Sequence, residues 1–279
     1  MANLPKDFVE RNAWRGALAI IRDWGAIIAI AVTSYTIGGP IVYLIAVWLI
    51  GAFQFALTEA LLHEASHYNL FPQKKWNDRA EILLGLPFFR TVKQFRIEHR
   101  LHHAKLGQPD DPIIVDYKAH GLLNGPINLT WIWFIKPFIG YAGYYYCRAL
   151  SLSPRKEGLK ILTFWTIVLF IVFEVGIFKL ILLYWIIPFF WCCMSFLYWS
   201  EITDHYLAKN GTRSNLSPVK NFLHHNNGYH YIHHKYANIP WYRLPDAARS
   251  IAPDGGEVCY SFLDTYKCLR RAASFIQIQ

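Results

Sequence analysis

The chain has 279 residues, 54% apolar, 17% aromatic and 17% charged, with mean hydropathy +0.18 and net charge +9. Soluble domains carry roughly 25% charged residues, and a 32.5 kDa globule has too little interior for 11 Trp, 17 Tyr and 19 Phe. Composition thus excludes disorder, and five unpatterned cysteines exclude a disulfide scaffold.

From Trp24 to Thr58 the chain runs 35 residues without a charged side chain. One helix across a hydrocarbon core of roughly 30 Å needs about 20 residues. The run therefore holds two spans, predicted at 22–38 and 41–62, with Gly38-Gly39-Pro40 ending one and starting the next. Where the second span leaves its apolar stretch stands His63-Glu64-Ala65-Ser66-His67. The i, i+4 spacing puts both imidazoles on one helical face, as a shared metal ion requires.

A second cluster follows, His99-Arg100-Leu101-His102-His103, trailed by Asp110, Asp111 and Asp116. His120 has no histidine partner at useful spacing and reads as a loop residue. Leu122–Cys147 is aromatic but broken by Gly125-Pro126, Lys136-Pro137, Gly140 and Gly143. Its Trp131, Trp133 and Tyr144–Tyr146 suit the headgroup level, so this segment is expected to lie at the membrane interface. A second pair of spans is predicted at 159–175 and 180–200, with a polar turn at Glu174–Lys179. Cys192 and Cys193 fall mid-span and read as packing residues. Glu201 and Asp204 are either acceptors beside a metal site or the polar end of the span. His224 and His225 read as surface residues or supports for the third cluster, His230-Tyr231-Ile232-His233-His234. Ser261–Gln279 reads as a surface or interfacial helix.

Of 28 Lys and Arg residues, all but Lys179 fall on one side of a four-span arrangement. The positive-inside rule then puts both termini, the central segment and the C-terminal segment in the cytoplasm. The basic balance reflects topology and does not call for nucleic acid. The first apolar run is span-length with no cleavage-like flank, so no cleaved signal is expected. The expected fold is an all-α integral membrane protein, one domain over residues 1–279. It has four transmembrane helices in two hairpins, with a cytoplasmic helical cap carrying the histidine clusters.

Eight histidines in three compact boxes point to metal. At 12 histidines in 279 residues, H-x-x-H-H arises by chance on the order of 0.02 times per chain, and it occurs twice. Eight imidazoles are too many for one ion of four to six ligands, so two ions are implied. A shell without cysteine argues against structural zinc, and the paired E-x-x-H motifs of ferritin-like bundles do not occur, the spacing being present once, at Glu64 and His67. His63-Glu64-Ala65-Ser66-His67 also fits the H-E-x-x-H pattern of an intramembrane zinc protease, which leaves the other two boxes unexplained.

The series H-x3-H, H-x2-H-H, H-x2-H-H on a four-span chain resembles the membrane fatty acid desaturase superfamily. Asp204-His205-Tyr206 and Asn226-Asn227-Gly228-Tyr229-His230 resemble its sphingolipid-type and rhizobitoxine-type branches. The resemblance implies two non-haem irons held by His63, His67, His99, His102, His103, His230, His233 and His234, with His205 as a ninth ligand. It further implies that Asn226 holds a water or a place beside the ligands, and that Asp110, Asp111 and Asp116 orient imidazole N–H groups; Asp204 is taken with them as an acceptor beside the ligands. The implied reaction is O2-dependent desaturation of an unactivated bond in a lipid, fatty acyl or related aliphatic substrate; hydroxylation on the same scaffold is the alternative. The sequence contains no haem signature and no ferredoxin cysteine spacing. An external donor is therefore expected, a ferredoxin or cytochrome b5 with its reductase. The expected location is a membrane with a cytoplasmic active site, a bacterial inner membrane before an endoplasmic reticulum.

Overall fold

The structure, a computed structural model, describes residues 6–123, 127–149, 156–252 and 256–276. The chain divides into two compact units, one of Arg11–Phe95 with Lys136–Tyr198 and one of Met1–Glu10, Arg96–Ile135 and Trp199–Gln279.

Four helices among the described residues are long and apolar enough to cross a membrane, Lys6–Ile37, Pro40–Ser66, Glu157–Val175 and Phe178–Asp204. All four predicted spans fall on them, yet the first helix starts well before residue 22. Its long segment, Ala13–Ile37, is capped by Asn12, whose side chain accepts from the Arg15 N–H at 3.2 Å, and Asp23, fully buried, is paired to Arg22. A paired charge ends an apolar run without ending a helix. Gly38 and Gly39 have φ of 74° and 89°, values a side chain would resist, and Pro40 opens the next helix with φ preset and no N–H to satisfy.

Within the first unit, the second span turns π-helical at Ala56–Leu61, directly before box one. The extra residue per turn rotates the downstream helix about its axis, and so sets the face on which His63 and His67 emerge. The fourth span is π-helical at Leu182–Ile186 and Phe189–Cys193, on either side of Pro188, which lacks the N–H an α-helix needs there. Nearby, the Trp185 carbonyl accepts from the Gln54 side chain at 3.0 Å. A Cβ on Gly51 would lie 2.4 Å from Cys192 Cβ, so the second and fourth spans touch where Cys192 and Cys193 are buried. These cysteines are packing residues, as expected. Outward-facing Ile28, Val32, Ile41, Leu162, Phe170 and Phe173 are more than half exposed, and the third span is only 17% buried. Hydrocarbon is the solvent that suits such faces.

Leu122–Cys147 is divided. A π-helical turn at Trp131–Ile135 belongs to the second unit, and the helix Tyr141–Ala149 to the first. The breaks at Lys136-Pro137 and Gly140 fall between them, as the sequence indicated; Gly125-Pro126 lies outside the described residues.

In the second unit, Val92–Lys105 supplies the box-two helix from Arg96 onward. The next helix, Pro112–His120, is capped by Asp111. Two sites depart from the sequence reading. His120 is the buried last residue of that helix rather than part of a loop. His224 and His225 are also buried, with His225 edge-on to Trp241 at 5.8 Å, so neither is a surface residue. The fold is also not wholly α: Arg213–Asn215 and Glu257–Cys259 pair as parallel strands, Arg213 opposite Glu257. The C-terminal helix, Phe262–Ile276, lays Phe262 on Trp133 at 4.7 Å and on Trp199 at 5.3 Å.

Candidate metal centre

Seven of the nine expected ligands lie in the second unit. His99, His102 and His103 share the box-two helix, His205 directly follows the end of the fourth span at Asp204, and His230, His233 and His234 lie on the short helix His230–Lys235. His102, His205, His230 and His234 bring one ring nitrogen each within 4.8 Å of one another. Beside them, His103 Nε2 is 2.8 Å from His99 Nε2 and 3.1 Å from His233 Nε2. The two groups adjoin through His103 and His234, whose rings stack at 4.1 Å. In the first unit, His63 and His67 sit one helical turn apart with ring centroids at 5.0 Å.

Tautomers decide what the first group can bind. His205 Nδ1 is 2.8 Å from the Gly211 carbonyl, which can only accept, so Nδ1 carries the proton and Nε2 presents a lone pair. Burial, and then the neighbouring His102, pushes the His205 pKa down to about 3. Burial followed by His205 holds His230 well below the ordinary imidazole range. Both rings are thus neutral at physiological pH, the form a metal ion takes.

His102 Nδ1 is held by Asp111 Oδ1 at 2.8 Å. Burial works against that carboxylate, but hydrogen bonds from His102 and from the Gly107 and Ile113 N–H groups outweigh it and keep its pKa below the usual range. His102 Nε2 then faces His205 Nε2 at 3.0 Å, and His230 Nε2 faces the same atom at 2.8 Å. The lone pairs of His102 Nε2 and His205 Nε2, so close, repel unless a cation lies between them. Imidazoles in neighbouring positions on a first-row ion, at about 2.0–2.1 Å each, stand roughly 3 Å apart. The residues present therefore fit a first-row transition metal.

Of the supporting acids, Asp111 touches a candidate ligand. Asp110 is exposed and lies 4.0 Å from Lys105. Asp204 accepts from Ser200 Oγ at 2.7 Å and from Lys220 Nζ at 3.1 Å. The carboxamide of Asn226 donates to the Trp241 carbonyl at 3.1 Å. Asp116 is half-buried on the helix that Asp111 caps. Sequence reasoning missed the Gly211 carbonyl, since a backbone acceptor has no residue type to notice.

Asp111→Asn is expected to weaken metal affinity about 10–100-fold, the usual cost of losing a carboxylate behind a ligating histidine. Asparagine caps a helix as well as aspartate does, so Pro112–His120 should persist. Competitive chelator titration with circular dichroism checks both; unchanged affinity would mean that Asp111 does not govern His102.

A family model described as fatty acid desaturase matches residues 38–266. The chain is 26% identical over 276 residues to the dihydrorhizobitoxine desaturase of Bradyrhizobium elkanii, covering 86% of this chain and 76% of that protein. It is 24% identical over 290 residues to a chloroplastic sn-2 acyl-lipid omega-3 desaturase (ferredoxin) of Arabidopsis thaliana, covering 90% and 64%. It is 27% identical over 223 residues to a sphingolipid delta(4)-desaturase/C4-monooxygenase of Mus musculus, covering 73% and 64%. With all three histidine boxes and three of the four apolar helices falling in the matched region, the chain belongs to the fatty acid desaturase family of membrane proteins.

Proposed function

We propose that this protein is an O2-dependent di-iron oxidoreductase that desaturates an aliphatic chain of a lipid or a related substrate. The observation that carries the reading is the group His102, His205, His230 and His234, in which two rings have Nδ1 tied back to an oxygen and Nε2 aimed at a common point. In this reading those four hold one iron. His99, His103 and His233 hold the other, completed by His63 and His67, whose box spacing and shared helical face support that role. When bound, the two irons supply O2 activation for removing one hydrogen from each of two adjacent carbons.

The chain's own residues have a narrower task. Asp111 and the Gly211 carbonyl keep the Nδ1 protons on His102 and His205, which leaves both Nε2 atoms free of protons. The π-helical turn at Ala56–Leu61 fixes the phase of His63 and His67. Apolar side chains around the spans exclude water from an alkyl substrate.

With two protons from water and the two hydrogens of the substrate, two electrons per turnover balance the reduction of O2 to two waters. A soluble electron carrier is their source, in keeping with the ferredoxin named for the Arabidopsis relative and for an sn-1 acyl-lipid omega-3 desaturase of Nostoc. The name of the mouse relative pairs desaturation with monooxygenation, so an alcohol is the alternative product.

Purified protein is expected to carry about two irons per chain. It should form product only with lipid, O2, ferredoxin or cytochrome b5 and a reductase all present. Metal analysis and mass spectrometry of the product check this, with loss of two mass units marking the alkene and gain of sixteen the alcohol. One zinc per chain with peptide cleavage and no oxygen uptake would replace this reading with a protease centred on His63, Glu64 and His67.

A further inference from the structure

Arg213 is fully buried, an unfavourable place for a guanidinium unless it is paired and hydrogen-bonded, and of its nitrogens Nε and Nη1 are so used while Nη2 is not. Its Nη1 donates to the carbonyl of Thr203 at 2.9 Å and to that of Tyr206 at 3.2 Å. Its Nε donates to Glu257 Oε1 at 3.0 Å, across the strand pair. Both carbonyls lie at the C-terminal end of the fourth span, where a helix leaves acceptors without N–H partners and favours a cation. His205 stands between them.

The strand Arg213–Asn215 and the residues just before it hold the rest of the group. Gly211, two residues before Arg213, supplies the carbonyl that fixes His205 Nδ1. Ser214 Oγ accepts from the Tyr231 N–H at 3.1 Å, within the helix that carries His230 and His234. The Asn215 N–H donates to the Gly228 carbonyl at 2.8 Å, just ahead of that helix. Three consecutive residues thus join the end of the fourth span to the third box.

We propose that Arg213 is a positioning residue for His205: its guanidinium straddles the ligand by clamping the Thr203 and Tyr206 carbonyls, and Glu257 aims it. The inference rests on the di-iron reading for its metal readout and is independent of that reading for its backbone readout. Lysine has one point donor in place of a planar fork and cannot hold both carbonyls and Glu257 in the same geometry.

The test compares wild type, Arg213→Gln, Arg213→Lys, Glu257→Gln and the exposed control Arg249→Gln by iron content, iron Mössbauer spectrum and hydrogen exchange of the metal-free protein. Arg213→Gln is expected to fall from about two irons per chain to about one, as His205→Ala does, with one spectral component lost and exchange in segment 203–211 at least tenfold faster. Segment 40–55 should exchange at the wild-type rate. Arg213→Lys should restore part of the second iron. Should Arg213→Gln fail to fold, Glu257→Gln, which keeps the guanidinium, is expected to show the same changes in smaller degree. Two irons, an unaltered spectrum and unaltered exchange in the glutamine variants would overturn the proposal. Wild type with no iron would instead overturn the di-iron reading, leaving exchange in 203–211 to decide on Arg213.

Discussion

His205→Ala is expected to lower turnover more than about 100-fold, beyond the 10–100-fold typical of residues that only support a ligand. The ring is tied through Nδ1 to Gly211 and presents Nε2 within 3.0 Å of His102 Nε2 and 2.8 Å of His230 Nε2. Removing it takes away the nitrogen both neighbours face, so His102→Ala should match it in depth and in loss of one iron. His120→Ala is the informative contrast. His120 is buried at the end of Pro112–His120 but has no place in the group formed by His102, His205, His230 and His234. It is expected to cost stability while most activity per folded molecule remains. Assays normalised to folded, iron-loaded protein check this; an active His205→Ala with full iron would shift the search for a ninth ligand to His224 and His225.

Single-cysteine labelling is expected to be all-or-none. With exposed Cys147 replaced by serine, and the other four cysteines buried or half-buried, background labelling should be small. Lys93→Cys and Lys235→Cys should react with an impermeant maleimide only from the cytoplasmic side. Ile41→Cys, beside the Gly38-Gly39 break, should react only from the opposite side. The reason is the charge distribution: 27 of 28 basic residues lie outside the loop that holds Lys179, and translocating them is disfavoured. Labelling of Lys93→Cys and Lys235→Cys from opposite sides would mean that Leu122–Cys147 crosses the bilayer, and a centre shared by all three boxes would be lost with that result.

Much of this protein was legible without a structure because its strongest signals are local. Apolar run length locates the four long helices, since a hydrocarbon core demands about 20 apolar residues whatever surrounds them. Glycine at positive φ followed by proline marks the break at residues 38–40 for reasons contained in those residues. Histidines at i, i+3 and i+4 share a helical face by the geometry of one helix. Asp111 is visible as a short-range acid behind box two.

The rest depended on contacts between residues far apart in sequence. His120 has no spacing pattern, and only packing buries it. Asp110 and Asp111 are adjacent and chemically identical, yet one pairs with surface Lys105 while the other holds His102. Which of two neighbours points inward is set by how the adjoining helix is capped. The π-helical turn before His63 has no proline or glycine to mark it, and three-residue strands carry too little pattern to announce themselves. Arg213 read only as one cation among 28. Sequence by itself determined which residues are able to bind metal and that the chain suits a membrane, because ligand chemistry and hydrophobic length belong to residues and short segments. Tertiary structure alone decided which nitrogen of His102 and of His205 is left to bind, which oxygen holds the other, and which buried cation steadies His205, because those depend on distances between atoms that the chain must fold to bring together.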